Sequence, residues 1–275
     1  MSVRYDLAFS LGNACSCSLA LRKAGLQYAS FPFDWMIRGP FALRVETLLA
    51  GFQAWPGRLC DLELMPGKSN TDHLMCHDRK TDLLFPHDFP LGKTIAESYD
   101  GVVAKYRRRI DRLLRLLSTS RRVLAVYVEL PGFPETPAVE LNNGIAQLRR
   151  GHPGVQIDLL YFFHVPGVAF RDRQDVCIGD GVRKLSFDFK ERRDGAFLYG
   201  ADPELVAAAI RAEGIRVRDY RTAEERRAYR QAQRSDLMRR MAAKNRWQLF
   251  VNRLEYRLCR HFAKSLVRKG VTLKL

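Results

Sequence analysis

No C-x-x-C pair occurs among the six cysteines, which stand at positions 15, 17, 60, 76, 177 and 259. A chain of 275 residues can bury a substantial core without staples. Scattered thiols in such a chain argue against a disulfide scaffold and for reduced cysteines in the cytoplasm. No apolar run approaches the ~18–20 residues of a membrane span. The best candidate for an export signal, residues 7–21, is interrupted by Gly12, Asn13, Ser16 and Ser18 and preceded by Asp6, which disfavours secretion. A Gly-rich phosphate loop, a G-x-S-x-G elbow and an H-E-x-x-H pair are all missing, against nucleotide enzymes, serine hydrolases and zinc proteases. Internal repeats are absent too. Between Thr222 and Lys269 there is neither proline nor glycine.

What is abundant is positive charge, with 46 Lys and Arg against 30 Asp and Glu. It is unevenly spread. Residues 221–275 carry 16 basic and 4 acidic side chains, whereas residues 1–220 carry 30 and 26. Two domains are therefore expected, a nearly neutral body over 1–220 and a basic helical extension over 221–275. Within the extension Leu237, Met241, Trp247, Phe250, Leu254 and Phe262 recur at helical spacing among arginines, as in an amphipathic helix.

Along the body, residues 5–10 read as a buried strand, followed by a Gly-Asn turn and a helix that stops at Gly25. A helix is expected from Pro40 to about Trp55, and a hairpin over 73–89 around the turn-prone 78–81. A longer helix should span 94–117. Continuous apolar runs at 123–130 and 155–165 read as central strands, with a helix over 138–150 between them. A weaker strand at 184–189 and a helix over 203–213 complete the body. Strand and helix alternation predicts an α/β (or α+β) fold with a mixed, partly parallel sheet.

Cys15 carries the most chemical information. It follows a strand and a turn and falls in the first turn of the next helix, with Asn13 as the expected N-cap. Unpaired amides and the helix dipole favour a thiolate there. The same amides, over Asn13–Cys15, could stabilise an oxyanion on an attacked carbonyl. Weighed against this is a small buried core cysteine; Cys17, two positions on, points elsewhere. His87 follows the second hairpin strand, where a general base could reach a thiol from the side, although a strand-end histidine is as often a polar edge residue.

The segments Ser10-Leu11-Gly12-Asn13-Ala14-Cys15, Leu21-Arg22, Pro32-Phe33-Asp34-Trp35 and His87-Asp88-Phe89 resemble the signature of a bacterial family described as "putative papain-like cysteine peptidases". The resemblance covers roughly residues 5–165 and implies a Cys–His catalytic pair, Cys15 and His87, on a papain-like arrangement of an N-terminal nucleophile helix against a sheet. Papain proper differs. Here 72 residues separate Cys from His, against about 130–150 there, and the C-G-[SA]-C-[WY] signature is absent. No motif assigns the residue that would orient the imidazole. Asp88 is adjacent but should point away; Asp34 is preferred, with Glu129 as the other candidate and a turn-capping role as Asp34's plain alternative.

His73, Cys76 and His77 would share a face on a helix, but a strand sets Cys76 opposite the histidines, so no metal site is expected. No cofactor is expected either. The expected activity is a cysteine-dependent hydrolase or acyltransferase acting on an amide, ester or thioester of a peptide or acyl substrate. The rival is a non-catalytic binding or scaffold protein whose tail docks to a biosynthetic partner or an anionic membrane surface. Residues 222–269 could place the protein peripherally at the inner membrane face. Nucleic acid is disfavoured, because no recognised module is present and the body is not basic.

Overall fold

A computed structural model of the chain describes residues 3–53, 55–69, 72–190, 200–228, 230, 231 and 235. The chain divides into two compact units, Met1–Tyr220 and Arg221–Leu275. The first holds the strands β1 (Arg4–Tyr5) and β2 (Leu7–Ser10), helices α1 (Cys15–Lys23) and α2 (Phe41–Leu49), and strands β3 (Leu62–Ser69), β4 (His73–Asp78) and β5 (Leu83–Pro90). Helix α3 (Ile95–Thr119), strand β6 (Arg122–Val128), helix α4 (Ala138–Gly151) and strands β7 (Gln156–His164), β8 (Gln174–Gly179) and β9 (Val182–Phe187) follow. Helix α5 (Pro203–Ala212) and strand β10 (Arg216–Val217) end it.

The main sheet has the order β2-β6-β7-β9-β8. Its first four strands are mutually parallel, and β8 is an antiparallel edge. Helices cover both faces, so the central strands are largely apolar on both faces rather than alternating, with the buried Asp158 of β7 an exception. Leu7, Phe9, Val123, Ala125, Tyr127, Leu159 and Tyr161 face the core shared with α2, α3 and α4. Ala8, Leu124, Val126, Leu160 and Phe162 face the core shared with α1 and α5. This is a mixed α/β architecture. A separate antiparallel sheet, β3-β4-β5, packs against α3.

Several boundaries differ from the sequence expectation. The helix begun at Pro40 stops at Leu49, because Gly51 and Phe52 both take positive φ, and Pro40 is its N-cap rather than part of its first turn. Strands β3 and β8 were not expected: β3 contains Pro66 and Gly67, residues that depress strand propensity, and β8 is an exposed edge without an apolar run. The long helix begins as anticipated. Thr94 caps it with a capping box, accepting from the Glu97 amide while Glu97 accepts from the Thr94 amide, which satisfies two amides that a helix start leaves open.

In the second unit the structure describes only the start. Thr222 accepts from the Glu225 amide and Glu225 from the Thr222 amide, and residues 223–228 are helical. The expected apolar stripe from Leu237 to Phe262 lies outside the described residues. Among the described residues no helix is long and apolar enough to cross a membrane.

Candidate active site

Strand β2 ends at Ser10, and the chain reaches α1 through a tight turn. Gly12 is required there: a Cβ on it would lie 2.3 Å from the Cys17 Cβ. The Ser10 hydroxyl accepts the Gly12 amide at 3.0 Å. Cys15 is the first residue of α1 and is half-buried. The N-cap is Ala14, which provides no side-chain cap. That corrects the expectation for Asn13, whose side chain donates instead to Glu129 Oε1 at 2.9 Å. The Asn13 amide also faces the Val128 carbonyl at 3.4 Å, continuing the β2–β6 ladder one step past the strand. Cys17 is fully buried, its Sγ 3.4 Å from the Val126 carbonyl oxygen, and burial pushes its pKa up to about 12. A thiol held neutral in this way is a poor nucleophile.

Positions 15, 18 and 22 share one face of a helix, and two of them show where that face looks. Ser18 donates to the Asp34 carbonyl at 3.0 Å. The Arg22 guanidinium lies 5.4 Å from the centre of the Trp35 ring and donates to the Ser30 hydroxyl at 2.9 Å. On the other side of Cys15, the Asn13 carbonyl accepts the Arg38 amide at 3.1 Å. Cys15 therefore lies between two attachments to the loop 30–38. That loop is pinned to β5 by reciprocal bonds between Ile37 and Leu84, at 3.0 and 2.9 Å.

His87 projects from the open side of β5, and its ring meets that of Trp35 edge-to-face at 5.9 Å. The His73 ring is 6.4 Å away on β4. Covering by these neighbours lowers the His87 pKa below the ordinary histidine value; Asp88 opposes the shift, and His73 and Lys105 add to it. Asp88 points the opposite way, as strand alternation requires. It is buried, accepts from the Tyr106 hydroxyl at 2.8 Å and pairs with Lys105.

Asp34 is wholly buried. Its Oδ2 accepts the Phe31 amide at 2.7 Å and the Gln27 amide at 2.6 Å, with Arg22 at 3.7 Å. Burial raises its pKa to about 6 against the lowering influence of Phe31, Arg22, Arg109 and Gln27. Its described contacts thus tie the loop that presents Trp35 to itself through Phe31, to Gln27, and to α1 through Arg22. Glu129, also buried, accepts from Asn13, from Thr136 Oγ1 at 2.6 Å and, more distantly, from Tyr127 and Tyr161. His77 bonds Glu63 and Asp82 at 3.0 and 2.9 Å while Cys76 is buried on the other face of β4. Among the described residues no group of three His, Cys, Asp or Glu is placed to hold a metal ion.

Residues 6–131 match the family described as "Putative papain-like cysteine peptidase (DUF1796)". The match includes Cys15, Asp34, Trp35 and His87, and covers fewer than half of the residues of the chain. A protein of Acanthamoeba polyphaga mimivirus, named as uncharacterized protein R408, is 27% identical over 135 residues. The aligned part is 44% of this chain and 60% of the mimivirus protein, so the chain spans less than two thirds of that relative. A viral relative gives no support to a bacterial origin for the resemblance. No solved structure matches the chain.

Sequence reasoning did not single out Trp35 as the residue between α1 and His87, nor the link from Asn13 to Glu129. The first was legible only as part of the Pro-Phe-Asp-Trp segment. The second joins residues 116 positions apart, and no local pattern encodes it.

Proposed function

We propose that the protein is a cysteine-dependent hydrolase or acyltransferase in which Cys15 and His87 form the reacting pair. One observation carries the reading: a half-buried thiol opens α1 on the face turned to the Trp35 loop, and Trp35 abuts His87. Papain-like describes the chemistry proposed, a thiol at a helix start facing an imidazole on a strand. The family match over residues 6–131 agrees in kind.

In this reading His87 takes the proton of the Cys15 thiol as the sulfur attacks the carbonyl carbon of an amide, ester or thioester. The new C–S bond gives a tetrahedral oxyanion, stabilised by amides at the opening of α1 and by the helix dipole. Collapse breaks the bond to the leaving group, which receives the proton from His87. Water or another nucleophile, deprotonated by His87, then releases the acyl group and restores the thiol. A lowered histidine pKa keeps His87 neutral, and so able to act as a base, at neutral pH. Asp34 contributes by holding the loop that carries Trp35 and, through it, the orientation of the imidazole.

Alkylation of the full-length protein by iodoacetamide, resolved by mass spectrometry across pH, tests the pair. Cys15 should react first at about pH 6, ahead of the exposed Cys60 and Cys177, with an inflection below the ~8.5 of a free thiol. Faster reaction at Cys60 or Cys177 under those conditions refutes the assignment.

A further inference from the structure

Asn13, two residues before Cys15, is held from three sides. Its amide donates to the Val128 carbonyl at 3.4 Å, its carbonyl accepts the Arg38 amide at 3.1 Å, and its side-chain Nδ2 donates to Glu129 Oε1 at 2.9 Å. We propose that Glu129 is a positioning residue for the nucleophile: through Asn13 it fixes the turn that presents Cys15 and keeps a side-chain cap off the opening of α1. The assignment deepens the Cys15 reading and rests on it.

Glu129 is built as a fixed point. It is buried just past the end of β6, and its amide donates to the Phe162 carbonyl of β7 at 2.9 Å. Oε2 accepts from Thr136 Oγ1 at 2.6 Å and more distantly from Tyr161, while Oε1 takes Asn13 and, at 3.4 Å, Tyr127. Hydrogen bonds to a buried carboxylate are stronger than neutral ones and costly to leave unmade, so this side chain stays where its donors put it. The wholly buried Arg44 guanidinium interacts favourably with its charge and donates to the Arg38 and Gly39 carbonyls. Arg44 thus steadies two of the groups that hold Asn13. None of the four donors to Glu129 is His87 or belongs to the loop that carries Trp35, so the carboxylate serves the cysteine side of the pair. The consequence falls on α1. Its N-cap, Ala14, offers no side-chain oxygen, and no acidic residue stands in its first turn. Asparagine is among the best capping residues, and Asn13 is the one polar side chain in the turn 12–14; Glu129 draws it away. Amides at a helix start lack intrahelical partners, and those that no cap takes can face an anion. Charge alone would act the other way, since a carboxylate near a thiol disfavours the thiolate. The two effects of Glu129 have opposite signs and can be separated.

Iodoacetamide alkylation of Cys15 in the full-length protein, followed by mass spectrometry across pH, tests the assignment. Glu129→Ala and Asn13→Ala should each slow the reaction at about pH 6 by ~5-fold or more, as the inflection moves toward that of a free thiol. Asn13→Ala cuts the bond but leaves Glu129 its Thr136, Tyr127 and Tyr161 donors, so it keeps the test readable where Glu129→Ala misfolds. Glu129→Gln should react no more slowly than wild type, because its oxygen can still accept from Asn13 while the Thr136 hydroxyl turns to accept its NH2. The double alanine variant should be no slower than the slower single one, since both cut the same link. Thr94→Ala, destabilised at the start of α3, should leave the profile unchanged. In a His87→Ala background, read at about pH 8 where the thiol still reacts, Glu129→Ala should slow Cys15 as before. Loss of the effect there would make Glu129 the residue that orients the imidazole and would overturn the proposal. Faster alkylation in Glu129→Ala, effects that multiply in the double variant, or rates unchanged in both single variants would overturn it as well. A wild-type Cys15 that reacts more slowly than Cys60 refutes the catalytic pair, while the variants still report the clamp, because they compare Cys15 only with itself.

Discussion

Replacing Asp34 with asparagine should change how stability depends on pH rather than simply lower it. The carboxyl is wholly buried and its pKa stands at about 6, against 3.8 for an ordinary aspartate. A carboxyl whose pKa is higher folded than unfolded takes its proton first in the folded state. The folded state therefore gains stability as pH falls through about 6, and the gain is complete below about 3.8. Raising the pH removes it. A rise of that size corresponds to about 3 kcal/mol, since each tenfold change in proton affinity is worth ~1.36 kcal/mol. Asparagine has no such titration but keeps an oxygen for the Phe31 amide. Its new NH2 must find an acceptor in place of Asp34 Oδ1, which has no hydrogen-bond partner among the described residues. Urea unfolding of both proteins between about pH 7 and pH 3.5 isolates the effect, because every other titrating group is common to the two. The stability of the wild type relative to Asp34→Asn should rise by about 3 kcal/mol on acidification. A difference that stays constant across that range would show that folding leaves the Asp34 pKa unchanged, and one that moves the other way would show a stabilised carboxylate; either refutes the reasoning.

Gly12→Ala should destabilise the body by about 1–3 kcal/mol in urea unfolding, since its Cβ would overlap Cys17 in a packed turn. Thr94→Ala should cost ~1 kcal/mol by the same assay, through loss of the α3 capping box. His87→Ala should raise the pH at which Cys15 is alkylated, toward the ~8.5 of a free thiol; an unchanged profile would separate the two residues. Full-length protein should bind anionic lipid vesicles through residues 222–269, and added salt should weaken that binding steeply. A chain ending at residue 221 that aggregates, while the full chain ignores such vesicles, would assign the tail to packing instead.

Chain-local physics was enough to reveal the α/β character, the main helices and the central strands β6 and β7. Apolar runs and spacing are properties of neighbouring residues, and Gly25 and Gly214, both at positive φ, end their helices as glycine does anywhere. Local signals failed where the outcome depended on a distant partner. Strands β3 and β8 exist because β4 and β9 offer them edges, not because their own residues favour extension. Asn13 reads as an N-cap in sequence, but Glu129 arrives beside it once β2 and β6 pair in parallel, and a buried carboxylate outcompetes a helix amide for its side chain. Asp34 reads equally as a site residue and as a turn cap, and only folding surrounds it with Phe31, Gln27 and Arg22. Sequence alone identified which side chains could carry chemistry at Cys15 and His87, since reactivity begins with residue type. Tertiary structure decided what surrounds them, because burial, field and hydrogen-bond geometry arise only from segments far apart in the chain.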